Sequence, residues 1–133
     1  MNNRHARLLV ELEHARQLRQ QRAQERRQAY TDFLVETNEV YQLAADLLTK
    51  ARRKGQPLDF RKETGEAVRA LMRSELTLAL VASAGVRTSA KEYAESLRGL
   101  LLAATRAEWV DKTSQTRNSL FARMIEDVQS DDQ

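Results

Sequence analysis

Tyr30-Thr31-Asp32-Phe33-Leu34-Val35-Glu36-Thr37-Asn38-Glu39-Val40-Tyr41-Gln42-Leu43-Ala44-Ala45-Asp46-Leu47 is the stretch that decides the fold. Tyr30, Phe33, Thr37, Val40, Ala44 and Leu47 alternate steps of three and four residues, the stride of a helix with one buried stripe. Leu34, Tyr41, Leu43 and Leu48 widen that stripe into a core-facing surface. Upstream the same stride passes Arg26, Ala23, Arg19, Arg16, Leu12 and Leu9; downstream it reaches Ala51. Neither Gly nor Pro interrupts the chain between Arg4 and Lys54. One helix of roughly fifty residues is therefore expected.

Its two halves differ in kind. Before Ala29 the stripe carries Arg16, Arg19 and Arg26, crowded by Gln17, Gln20, Gln21, Gln24 and Gln28. That composition suits a projecting arm, residues 1–28, leaving residues 29–130 as the bundle and 131–133 as an acidic tail. An isolated helix is marginal in water, so the arm needs support. Glu13 can meet Arg16 one turn on. Leu8, Leu9, Leu12, Ala15 and Leu18 form an apolar patch that a solitary arm would waste.

The whole chain agrees with a helical protein. Its 133 residues fit one domain, and Gly 4 and Pro 1 leave too little turn chemistry for a sandwich or barrel. No apolar run is long enough to span a membrane, and no signal-peptide core is apparent. Without cysteine there is no disulfide scaffold, thiol nucleophile or Cys-based zinc site. A cytoplasmic protein is the expectation.

Further helices follow from local signals. Gly55-Gln56-Pro57 breaks the chain, and Lys50, Arg52, Arg53 and Lys54 suit the negative end of the helix before it. Asp59 can cap a second helix running to about Ala82, with Gly65 moving its expected start toward Glu66. Leu76 to Ala82 is apolar nearly all round and reads as a fully buried turn of helix. Ala84-Gly85-Val86-Arg87 reads as a turn, and Ser89-Ala90-Lys91-Glu92 as a capping box. The third helix would face inward through Tyr93, Leu97, Leu100, Leu101, Ala104 and Ala107. Asp111 to Thr116 is rich in cap-forming residues and reads as a link to a fourth helix carrying Leu120, Phe121, Met124, Ile125 and Val128. The stride also continues through that link, so a single helix over both segments is the alternative. The expected fold is all-α: a long N-terminal helix running into an antiparallel bundle of four helices, or three if the last two are continuous.

Catalytic chemistry finds no foothold. His5 and His14 are nine residues apart, on opposite sides of a helix, and cannot share a metal. A di-iron bundle needs two Glu-x-x-His pairs and the chain has one, Glu11 with His14; zinc-protease motifs, phosphate loops and nucleophile elbows are missing. Glu36 with Glu39, and Glu92 with Glu95, read as solvated helix surface. The expectation is a non-enzyme with no cofactor and no bound metal. Tyr30 and Trp109 are the aromatics expected to keep a polar tip near the surface.

Glu25-Arg26-Arg27-Gln28-Ala29-Tyr30-Thr31-Asp32-Phe33-Leu34 resembles a signature of actinobacterial Arg-rich helical proteins, Arg-Arg-x-Ala-Tyr-x-x-Phe-Leu. The resemblance implies an Arg-rich helix leading into a small Ala- and Leu-rich bundle, and no activity for any residue. Many such proteins carry a membrane span upstream, where this chain has only Leu8-Leu9-Val10.

Two functions compete. In the first the chain is an interaction or scaffold module, its arm pairing with its own copy or a partner protein through Leu8, Leu9, Leu12, Ala15 and Leu18. In the second Arg16, Arg19, Arg22, Arg26 and Arg27 lie along nucleic-acid phosphates without base readout. The interleaved Glu11, Glu13 and Glu25 count against the second.

Overall fold

The computed structural model describes residues 2–54, 61–102 and 107–131, all within helices apart from the turn at 80–83. The helices are α1 (Asn2–Lys54), α2 (Arg61–Ala79), α3 (Ala84–Leu102) and α4 (Ala107–Asp131). At 1.5 Å per residue the 53 residues of α1 span about 80 Å, far more than any of the others. The all-α expectation holds, with a long first helix and four helices rather than three.

Chain neighbours in the bundle run antiparallel. Tyr30 meets Asp127 while Arg26, one turn earlier on α1, meets Asp131 one turn later on α4. Glu36 meets Ser74, and Arg26 reaches back to Val81 just beyond α2. Ser96 meets Thr116 across α3 and α4. α3 touches every other helix, whereas α2 and α4 do not meet among the described residues. α1 likewise touches the other three, so the core collects between α1 and α3.

The periodic stretch of α1 is buried as its stride predicts. Tyr30, Phe33, Thr37, Val40, Ala44 and Leu47 are all buried. Tyr30, Phe33, Val40 and Ala44 join one cluster with Leu71 and Leu78 of α2, with Val86, Tyr93, Leu97 and Leu101 of α3, and with Leu120 and Met124 of α4. Each fully buried large side chain contributes about 1.5–3 kcal/mol from leaving water, which is what holds the bundle together. Two of the polar members bond within their own helices: Thr37 donates to the Phe33 carbonyl at 2.7 Å and Ser96 to that of Tyr93 at 2.6 Å.

Several boundaries differ from the sequence expectation. α2 begins before Gly65, which sits inside the helix beside Arg69. The turn expected at Ala84–Arg87 lies instead at residues 80–83, and α3 starts at Ala84. Its cap is Ser83, whose hydroxyl accepts the Val86 N–H at 3.3 Å, so Ser89 is a buried interior residue and not a cap. α4 begins at Ala107, so the expected link at Asp111–Thr116 is helical. Thr113 and Thr116 spend their hydroxyls there on a polar seam: Thr113 donates to the Ser96 carbonyl and Thr116 lies 2.9 Å from the Ser96 hydroxyl. Small polar side chains let α3 and α4 approach closely, and tertiary pairing overrides their cap-forming preference. The breaks expected at Gly55–Pro57 and Asp59, and the inward position of Ala104, lie outside the described residues.

The apolar run in α2 is not fully buried. Leu78 is in the core, but Leu76 is 68% and Leu80 84% exposed, with Met72 exposed on the same side one turn earlier. A bundle with a single layer of core covers one face of α2 only. On α4 Leu120 and Met124 are buried while Phe121 and Ile125 are largely exposed.

Candidate interaction surface

Residues 3–22 of α1 are exposed without exception. Burial begins at Ala23, which is half-covered, and is complete at Tyr30. The arm is thus a bare helix of about 30 Å standing beyond the end of the bundle. The bundle begins about one and a half turns before the expected residue 29.

A polar collar fixes the direction in which the arm leaves. Arg26 donates through Nη1 to both carboxylate oxygens of Asp131, at 3.0 and 3.2 Å, and through Nε to the Val81 carbonyl at 3.1 Å. Tyr30 donates its hydroxyl to Asp127 Oδ2 at 2.6 Å and accepts the Ser83 N–H at 3.4 Å. Two residues of α1 thereby tie down both the α2–α3 turn and the end of α4. The Tyr30 hydroxyl lies inside this network and not at a wet surface as expected. Burial, reinforced by the Asp127 carboxylate it bonds, pushes its pKa up to about 12. Asp131, assigned from sequence to an acidic tail, is the last residue of α4 and a member of the collar.

On the arm itself, Leu8, Leu9, Leu12 and Leu18 are 52%, 55%, 58% and 40% exposed, and Ala15 is exposed with them. Val10 is equally bare. Leu9 and Leu12 continue the stride that lower down presents Tyr30 and Phe33 to the core. Leu9 and Leu12 therefore prolong the core-facing stride of α1 past the bundle, with Leu8 and Ala15 beside them, while Leu18, nine residues from Leu9, lies round the helix from it. Singly exposed leucines are ordinary, but a contiguous stripe on an unsupported helix marks a contact surface.

The five arginines proposed for phosphate contact do not act alike. Arg16 is held by Glu13, with Nη2 2.6 Å from Oε1 and Nε 3.0 Å from Oε2, the i,i+3 pair expected from sequence. This hydrogen bond lowers the Glu13 pKa. Arg26 is committed to the collar, and Arg27 is half-buried beside it. Arg19 and Arg22 are exposed. Gln21 bonds Glu25 rather than extending a basic track.

Elsewhere the surface offers shallow grooves between neighbouring helices. One of about 450 Å³ between α1 and α2 holds Glu36, Glu39, Glu66 and Arg73, with Glu36 accepting from Ser74. Another of about 330 Å³ lies between α2 and α3 against Met72, Leu76 and Arg98. At its edge Arg98 meets Glu75 at 2.9 Å, yet burial raises the Glu75 pKa in spite of that partner. Among the described residues no three His, Cys, Asp or Glu side chains are grouped to hold a metal ion. No helix among them is long and apolar enough to cross a membrane.

The collar was missed in the sequence because its members lie up to 105 positions apart. Only the placement of Arg26 on an otherwise core-facing stride hinted at it: an arginine there has to find a carboxylate. No protein-family model, no curated protein and no solved structure matches this chain.

Proposed function

We propose that this chain is a non-enzymatic interaction module, in which the bundle is the scaffold and the arm pairs with another helix, its own copy or a partner protein's. The observation that carries this reading is the exposed apolar patch of Leu8, Leu9, Leu12, Ala15 and Leu18 on a stretch of helix exposed at every residue from 3 to 22. A helix of some twenty residues with little but an i,i+3 ion pair to support it is marginal alone. Covering the stripe with a second helix supplies what the arm lacks. The collar supports the same reading, since it ties α1 to the end of α4 at the point where the arm leaves the bundle. Nucleic-acid binding has weaker support, because Arg16 and Arg26 already have carboxylates.

The test is absolute mass by light scattering on the full chain and on a chain with Leu9→Glu and Leu12→Glu together. Association above the 15.3 kDa of one chain, lost on substitution, is the expected result. An assembly whose mass ignores both substitutions contradicts the reading. A full chain that is already monomeric removes self-pairing and leaves the partner protein, to be sought with the arm as bait and the substituted arm as control.

A further inference from the structure

We infer that the groove between α1 and α4 binds an amphiphilic monocarboxylate, an acyl chain ending in one acid group, and that Arg117 holds the carboxylate. The site lies on the bundle and is independent of the arm. An arginine without an acid, set at the end of an apolar groove, carries the inference.

Arg26 and Arg98, both partly buried, each meet a carboxylate, at 3.0 and 2.9 Å. Arg117 is partly buried as well, yet it pairs with no carboxylate of the described residues, and its Nε is sealed in without an acceptor. Its guanidinium stands 5.7 Å from the centre of the Tyr41 ring, within the range at which a ring face attracts a cation. Packing thus holds the nitrogen fork in place while the charge stays unanswered. A charge drawn out of water is costly until an anion meets it. Glu39 lines the same end of the groove but is exposed and makes no ion pair with Arg117.

The groove supplies the apolar half of the site. Space of about 490 Å³ beside Arg117, Tyr93 and Val35 adjoins space of about 520 Å³ beside Met124, Ile125 and Val128, and Thr31, Leu34 and Phe121 wall both. From Asn38 to Arg27 along α1 the groove runs roughly 16 Å. Its rim is bare: Val35 and Ile125 are 56% and 55% exposed, and Phe121 is 39% exposed. A largely apolar hollow with a polar group fixing one end is the usual form of a small-ligand site. An acyl chain laid along Leu34, Phe121 and Ile125 covers those side chains. Its carboxylate then meets the outer nitrogens of Arg117 as a planar pair, the geometry in which arginine binds carboxylates best. One cation with Glu39 at the rim suits a single negative charge and not a phosphate dianion.

The probe is dodecanoate with an isotope-labelled carboxyl, titrated below its micelle concentration into the full chain and followed by NMR of the carboxyl and of the protein. Dodecanol is the uncharged control. The expected result is saturable binding of one molecule per chain, weakened roughly tenfold or more by Arg117→Gln, as loss of a charged hydrogen bond predicts. Dodecanol should bind the parent chain more weakly by a similar factor. Ile125→Glu, at an exposed position, should abolish binding by setting a like charge in the groove. Arg22→Gln removes an exposed charge on the arm and should change nothing. No saturable binding, binding that ignores either groove substitution, or dodecanol bound as tightly as dodecanoate overturns the proposal. None of these outcomes bears on association through the arm, since Arg117 and Ile125 lie on α4.

Discussion

Residues 3–22 and residues 30–47 belong to one unbroken helix with one stride, yet the first segment is bare and the second lines the core. Helix period alone does not bury a residue; something must stand opposite. Below the collar α2, α3 and α4 stand opposite, and leucine, phenylalanine and tyrosine on the stride become core. Toward the arm's tip none of the described residues does, and Leu8, Leu9 and Leu12 meet water. The composition has responded: large apolar residues thin out over 16–28 and arginine takes their places on the stride. The leucines return toward the arm's tip, where a core can no longer use them.

Five substitutions probe that contrast. The largest effect belongs to the bundle. Leu97→Ala, at a fully buried position of α3, should cost about 2–5 kcal/mol in urea unfolding. Leu9→Ala should leave the bundle's unfolding midpoint almost unchanged while weakening association. Equal losses at both sites would mean that the arm is part of the folding unit.

Next comes the boundary. Tyr30→Phe removes a hydrogen bond to a carboxylate and should cost about 1.5–3 kcal/mol. It should also change the alkaline behaviour. The Tyr30 pKa is raised to about 12 in the fold, above the usual value of about 10. Its contribution is therefore complete below pH 10 and lost as pH climbs from about 10 to about 12. The phenylalanine variant should be less stable at neutral pH and show a shallower decline across that alkaline window. A decline as steep as in the parent chain would show that Tyr30 does not titrate there.

Gly65→Ala should stabilise the bundle by about 0.5–1 kcal/mol, since glycine inside a helix is costly. The new methyl would meet only the mobile end of Arg69 at 3.8 Å. A rise in melting temperature, with no change in association, is the expected readout. Smallest is Glu13→Gln, which breaks the exposed pair with Arg16. It should lower helicity slightly at low salt, and the difference should vanish at high salt. Loss of the assembly on this change alone would make the ion pair, and not the leucines, the centre of the arm's contact.

The fold class was legible because α1 announces itself: its stride of three and four persists without Gly or Pro, and the residues on it from Tyr30 to Leu47 are those buried. Boundaries were harder wherever tertiary contacts redirect residues with strong local habits. Ser89 resembles a cap, yet Ser83 performs that task because the chain turns six residues earlier. Thr113 and Thr116 resemble a link, yet they form a polar seam against Ser96. Leu76 and Leu80 look buried by composition, but α2 has neighbours on one side only. The apolar patch on the arm could be named from sequence. Its isolation could not, since that depends on where the other helices stop.

Hydrogen exchange across the arm of the full chain, at two protein concentrations far apart, tests the central claim most directly. The account predicts amides over residues 3–22 that are protected at high concentration and exchange much faster on dilution, with α3 protected equally in both. Arm amides that exchange at coil rates at every concentration, or whose protection ignores dilution, would contradict pairing of the arm with its own copy.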